Sequence, residues 1–445
     1  VHHNVIDSYI FTCKNTKMKF LMLFMAGVTL LCKINITVAQ VRYGDHFTDE
    51  KLRFDFLFAG NKDQVHVYPV GMKREPFWAG PGKLLTDPSG YGNFRYLVCN
   101  AESGELLFSR GFSSLFQEWQ TTAEAGRMER AFYQALFFPF PKKEVTLKIE
   151  FRDKKGVFQS LYETKIDPAD YFIGRDAPRS FASLQIEKNG RPERNVDLVF
   201  LSDGYTNEER DRFYGDAGRL TEALFSAEPF SGNRKHFNVT AQFIPSEESG
   251  VDIPGESIYK NTALNSTFYT FDLDRYLTTS DMKSVYDAVA GVPWDFLVVL
   301  VNTERYGGGG VFQQLTVCSS SHELSPKVLV HELGHSFAGL ADEYYSSAVA
   351  YEEFYPLAVE PWEPNITTMV NFESKWKQLL SPGIPVPTPR TPEYRLTTGV
   401  FEGGGYMAKG IFSPAQDCRM KSNVTDRFCP VCSAAIQKSI DWYSE

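Results

Sequence analysis

The hydrophobic pattern of this chain changes period once, and that change sets what it can fold into. Between residues 51 and 170 apolar side chains recur at every second position. Leu52, Phe54, Phe56 and Phe58 alternate with Lys51, Arg53 and Asp55, and Val145, Leu147, Ile149 and Phe151 alternate with Thr146, Lys148, Glu150 and Arg152. This is the spacing of strands that bury one face. A further run at 94–100 turns at Ser103-Gly104 into 106–108, and Asp153-Lys154-Lys155-Gly156 turns into Val157-Phe158. Short alternating strands joined by polar turns predict a β-sandwich. No grouping of His, Cys and carboxylates is visible in it, so it reads as a structural or docking module.

Beyond a stretch at 174–195 rich in Arg, Pro, Gly and polar residues, which reads as a linker, the pattern is different. Residues 196–201 read as an apolar strand, 237–244 as a second strand, and 294–301 as a third that is apolar enough to be buried on both faces. Thr206-Asn207-Glu208-Glu209 carries the signature of a helix start. Strands alternating with helices predict an α/β layer with a mostly parallel sheet. A length of 445 residues leaves room for two domains. The expectation is therefore α+β overall, with an amino-terminal β-sandwich over 40–174 and a carboxy-terminal α/β domain over 175–445.

Residues 1–39 read as an export segment rather than fold. Lys14, Lys17 and Lys19 precede an apolar run at 20–31, too short to cross a bilayer as a helix, and Thr37-Val38-Ala39 places cleavage before Gln40. The expected location is extracellular, cell-surface or periplasmic, with no transmembrane segment once the signal is removed. The net charge of −9 lacks the basic surface of a nucleic-acid binder, so nucleic acid is not expected as a partner. No signal of oligomeric state is present. Of seven cysteines, Cys13 and Cys32 lie in the export segment, leaving 7 − 2 = 5. Pairing is expected within Cys418, Cys429 and Cys432. Cys429-Pro-Val-Cys432 has the spacing of half a zinc site, but no second such pair exists.

The chemistry concentrates in Val328-Leu329-Val330-His331-Glu332-Leu333-Gly334-His335. His331 and His335, four apart on a helix, project from one face and can share one Zn2+ ion. Glu332 lies about 100° around the helix, placed to act on a metal-activated water as general base without binding the ion. A catalytic zinc takes three protein ligands and keeps one position open. Asp342 is the leading third ligand. On an unbroken helix it would sit ~10 Å along the axis from His335, but Gly339 supplies a break that turns the chain back. Glu343 is the direct rival and Glu353 a weaker one.

The stretch from His331 to Asp342 resembles the metzincin zinc-peptidase signature, HExxHxxGxx followed by His or Asp. It departs by one residue, because Gly339 is four after His335 and Asp342 seven after. With HELGHSFAGLADEYY, LVFLSDGYTNEE and a β-rich first half, the chain looks like the bacterial IgA-peptidase family of secreted zinc metallopeptidases. The resemblance implies a metzincin-like α/β zinc-peptidase domain, one catalytic zinc on His331, His335 and Asp342, and Glu332 as base. It also implies a Met-turn beneath the zinc, for which Cys418-Arg419-Met420 is the candidate, ahead of Met369 and Met407. Tyr406 is a possible transition-state stabiliser. The segment from Gly307 to Val317 is expected to form the cleft's upper edge, pairing with a protein or peptide substrate in extended form. The reading is an exported zinc endopeptidase. Its alternatives are a binding or adhesin-like protein with a structural zinc, and a zinc hydrolase of non-peptide amides or esters.

Overall fold

The alternating runs form two four-stranded sheets in the computed structural model, which describes residues 41–345 and 354–444. The export segment and Glu353 lie outside the described residues. A short turn of helix, α1 (Tyr43–His46), leads into β1 (Phe47–Asn61), followed by β2 (Gln64–Glu75), β3 (Phe94–Asn100) and β4 (Leu106–Phe112). Next come α2 (Leu115–Gln120), β5 (Arg130–Pro141), β6 (Val145–Arg152), β7 (Phe158–Ile166) and β8 (Ile173–Gly174). The sheet orders are β5-β1-β2-β8 and β4-β3-β6-β7. Leu52, Phe54, Phe56 and Phe58 of one sheet and Phe94, Tyr96, Val98, Leu147 and Ile149 of the other bury into a common core. The chain is α+β, with an amino-terminal β-sandwich.

The opposite face of β1 departs from the simple alternation. Lys51, Arg53 and Asp55 are as buried as their apolar neighbours, at 3%, 0% and 4% exposure. A second layer covers them, and burial is tolerated because the charges pair. Arg53 reaches Asp55 at 2.6 Å, Glu75 at 3.5 Å and Asp287 at 2.7 Å, while Lys51 pairs with Glu75 at 3.3 Å.

That second layer belongs to the α/β half. Its strands are β9 (Ala182–Glu187), β10 (Val196–Asp203), β11 (Phe237–Phe243), a small ladder of β12 (Ser266–Thr267) and β13 (Thr278–Thr279), then β14 (Phe296–Val301), β15 (Gly308–Val311) and β16 (Leu315–Ser319). A carboxy-terminal hairpin, β17 (Phe401–Gly404) and β18 (Met407–Ser413), follows. The main sheet has the order β15-β16-β14-β10-β11-β9. Its four central strands are parallel and both edge strands antiparallel. The expected linker thus contributes β9, which pairs antiparallel with the edge of β11.

Successive residues of β10 face different cores, as a two-sided sheet requires. Val196, Leu198 and Phe200 meet α3 (Arg210–Leu224), α5 (Ser325–Ala338) and α6 (Pro430–Tyr443). Val199 and Leu201 meet α4 (Met282–Val289) and reach Ala135 of the sandwich. The helix start at Thr206 is a capping box with Glu209, as its sequence indicates. Asp287, on α4, is the residue that Arg53 grips across this junction. Arg53→Met leaves Asp55 buried without its cation and Glu75 with Lys51 alone. We expect a loss of about 3–5 kcal/mol of stability, read from the shift in the urea unfolding midpoint; a shift equivalent to less than ~1 kcal/mol, the worth of an exposed pair, would show that the network carries little.

Candidate metal centre

Helix α5 is held by a strand, β15, whose first three residues are glycines with no side chain to keep it at a distance. A methyl group on Gly310 would sit 2.3 Å from the Glu332 carbonyl oxygen, and one on Gly308 would sit 2.6 Å from Val328 Cγ1. Only glycine lets β15 lie this close to the helix. Residues 307–317 are not one strand but a hairpin, turning at Gln313 with φ +57°. The glycine arm, β15, is the sheet edge, while Leu315–Ser319 is buried. On the far side α5 stops at Gly339, which has φ +64° and donates its N–H to the His335 carbonyl at 3.0 Å. This break turns the chain so that Asp342 faces the helix it has just left.

The two imidazoles are oriented through their outer nitrogens. His331 Nδ1 lies 2.9 Å from the Arg419 carbonyl and His335 Nδ1 lies 2.6 Å from the Leu340 carbonyl. A carbonyl only accepts, so each Nδ1 carries a hydrogen, and in the neutral ring each Nε2 then offers a lone pair. The two Nε2 atoms are 3.2 Å apart, and Asp342 Oδ1 lies 3.1 and 3.5 Å from them. Oδ1 is buried without a hydrogen-bond partner, whereas Oδ2 accepts from the Tyr406 hydroxyl at 2.6 Å. Ligands about 2.05 Å from a tetrahedral ion are spaced about 3.3 Å apart, which the three donors match. His331, His335 and Asp342 together could hold a metal ion. An ion would compete there with a proton: burial lowers the basicity of His335, but the Asp342 carboxylate overrides it and raises its pKa to about 9.

Glu332 shares a cavity of about 470 Å³ with the three donors. Burial raises its carboxyl above the usual range, against the pull of His331 and His335. The cavity wall includes Asn93, Ser113, Gln117 and Glu118 from the sandwich half, none of which belongs to a motif legible in the sequence. It also includes Arg275, Tyr306 and Tyr344. Burial and then Asp342 raise the Tyr344 hydroxyl, while Arg275 opposes them. Tyr344 could have been noticed two residues after Asp342; Arg275 and Tyr306 lie in loops with no motif around them.

The two rival carboxylates separate cleanly. Asp342 faces the histidines, whereas Glu343 Oε1 accepts from Asn365 Nδ2 at 3.1 Å and lies 3.1 Å from Cys432 Sγ. Met420 is fully buried beneath α5, and a methyl group on Gly334, between the histidines, would sit 2.5 Å from its Sδ. Its carbonyl accepts from the Glu343 N–H at 2.8 Å. Met407 packs instead with Ile366 and Ile411.

Comparison with known proteins bears on both halves. The pattern of the family described as IgA Peptidase M64 matches residues 184–398 and 390–440. The pattern described as Peptidase M64 N-terminus matches residues 42–163. No curated protein matches the chain. Among the described residues no helix is long and apolar enough to cross a membrane. Because the two patterns together span most of the sequence, and the larger one contains the histidine helix, the chain belongs to the IgA peptidase M64 family and is a peptidase.

Proposed function

We propose that the protein is an exported zinc endopeptidase in which His331, His335 and Asp342 hold the ion and Glu332 is the general base. The observation that carries this reading is the convergence of two imidazole Nε2 atoms and a carboxylate oxygen without a hydrogen-bond partner beside Glu332 in one cavity. Three donors with an open side favour a catalytic ion over a structural one. Zinc bound there supplies a Lewis acid that polarises the scissile carbonyl and makes water acidic near neutral pH. Glu332 then accepts a proton from the attacking water and returns one to the leaving amine.

Tyr406 acts in this reading as a positioning residue. Its hydroxyl is engaged with Asp342 Oδ2, so stabilising a tetrahedral intermediate would require that bond to break. Met420 fills the floor under α5, as a Met-turn would. A peptide in extended form lies along β15, where glycine leaves no side chain between it and Glu332. Leu277 donates its N–H to Gly308 at 3.3 Å and Ser113 donates to Phe312 at 3.0 Å, which confines backbone pairing to the stretch between them.

A diverse peptide library cleaved by the wild type and not by Glu332→Gln, read by mass spectrometry, tests the assignment. Glu332→Gln should keep its metal and lose about 10²–10⁴-fold in kcat/KM; retained turnover would remove Glu332 from the mechanism. Asp342→Ala should abolish metal retention at the histidines, followed by competition with a chelator, and a tightly held ion there would exclude Asp342 as ligand. Tyr406→Phe should weaken metal affinity by about 10–100-fold with little change in fold; full affinity would show that its hydroxyl does not hold the carboxylate.

A further inference from the structure

Behind the histidine site lies a second convergence of donor atoms. Glu343 Oε1 is 3.1 Å from Cys432 Sγ and 4.0 Å from Cys429 Sγ, and Cys418 Sγ is 3.8 Å from Cys432 Sγ. One ligand atom from each of these four residues lies within 4.8 Å of all the others. All four residues are buried, with Glu343, Cys418 and Cys432 at 0% exposure. The 3.8 Å sulfur separation is far beyond a disulfide bond of about 2.05 Å. It equals the edge of a tetrahedron with metal–sulfur distances of about 2.3 Å.

Two further observations point to a cation. Glu343 Oε2 is buried and has no hydrogen-bond partner, a costly state for a carboxylate unless a positive charge meets it. Lys421 Nζ is also without a hydrogen-bond partner, and it lies over the Tyr345 ring at 5.3 Å rather than on the carboxylate. The surroundings suit thiolates. The Cys429 N–H donates to Cys418 Sγ at 3.2 Å. Cys429 is the N-cap of the 14-residue helix α6, and Cys432 lies in its first turn, where the helix end favours negative charge.

We propose that Glu343, Cys418, Cys429 and Cys432 form a second, closed site for a zinc-type divalent cation. Thiolates select a soft or borderline ion such as Zn2+ over Mg2+ or Ca2+. Four protein ligands leave no open position, so the ion is structural. It joins three segments that serve the histidine site. Glu343 follows Asp342, Cys418 precedes Arg419 and Met420, and Cys429 opens α6. One ion therefore fixes the carboxylate, the carbonyl that orients His331 and the floor under α5. The pair Cys429-Pro-Val-Cys432 lacks a second such pair in sequence, but in space Cys418 and Glu343 take its place.

The test is a metal count per chain on protein purified under reducing conditions in zinc, followed by exchange with Co2+ as a spectroscopic probe. The wild type should hold two ions. The His331→Ala/His335→Ala double variant should fall from two to one, and its cobalt form should keep an intense sulfur-to-cobalt charge-transfer band. Cys418→Ser/Cys432→Ser should also fall to one ion and lose that band. If the cysteine variant does not fold, the band in the histidine variant decides alone. A histidine variant without ion or band overturns the proposal. A Cys418–Cys432 disulfide, found by alkylation and mass measurement of the protein before any reductant is added, also overturns it. A wild type with one ion and a band unaffected by the histidine substitutions would instead sink the histidine site and leave this one standing.

Discussion

The bond from His331 Nδ1 to the Arg419 carbonyl, at 2.9 Å, is the constraint around which the site is built. It joins helix α5 to a segment 88 residues downstream and settles which nitrogen of the ring faces the cavity. A rotated or tautomerised imidazole would turn a hydrogen towards Asp342 and remove one of the converging lone pairs. Everything near it keeps the Arg419 carbonyl in place. Met420 fills the space under Gly334, the Met420 carbonyl is tied to the Glu343 N–H, and Arg419 itself is buried at 3% exposure.

The same economy explains the glycine run. A buried helix that must expose histidines and a glutamate to a cavity cannot also be covered by bulky neighbours on that side. Strand β15 solves this by contributing backbone alone at Gly308 and Gly310. The sheet edge then reaches the helix while leaving the space in front of Glu332 clear. Sequence position alone shows four glycines; that two of them meet α5 while Gly309 turns to Tyr276 and Leu277 follows from the pleat of the strand.

The sandwich is more than a cover. Its β1 carries a second buried face of charges, and Arg53 clasps Asp287 on the α/β side. Asn93, Ser113, Gln117 and Glu118 form part of the cavity wall, and the Tyr276 hydroxyl donates to Glu118 at 2.5 Å. A junction that is polar and buried is costly unless every charge is met, and here the charges meet across the two halves. The relative placement of the halves is thus tied to the shape of the cavity.

The sequence by itself determined the architecture of each half and the helix that carries the candidate metal centre. Period-two alternation and continuous apolar runs dictate strands buried on one or both faces, because side chains alternate across a strand whatever surrounds it. His331, Glu332 and His335 are fixed relative to one another by helical geometry, which is local. Tertiary structure alone decided what depends on distant partners. Asp342 rather than Glu343 meets the histidines because the turn after Gly339 and the Glu343–Met420 bond set which side chain points inward. Tyr406 meets Asp342 Oδ2, and Lys51, Arg53 and Asp55 are buried because another layer lies upon them. Glu343 joins three cysteines that lie 75 to 89 positions further along the chain. Sequence spacing carries no record of such meetings, since the free energy that selects them comes from contacts between segments brought together only in the folded chain.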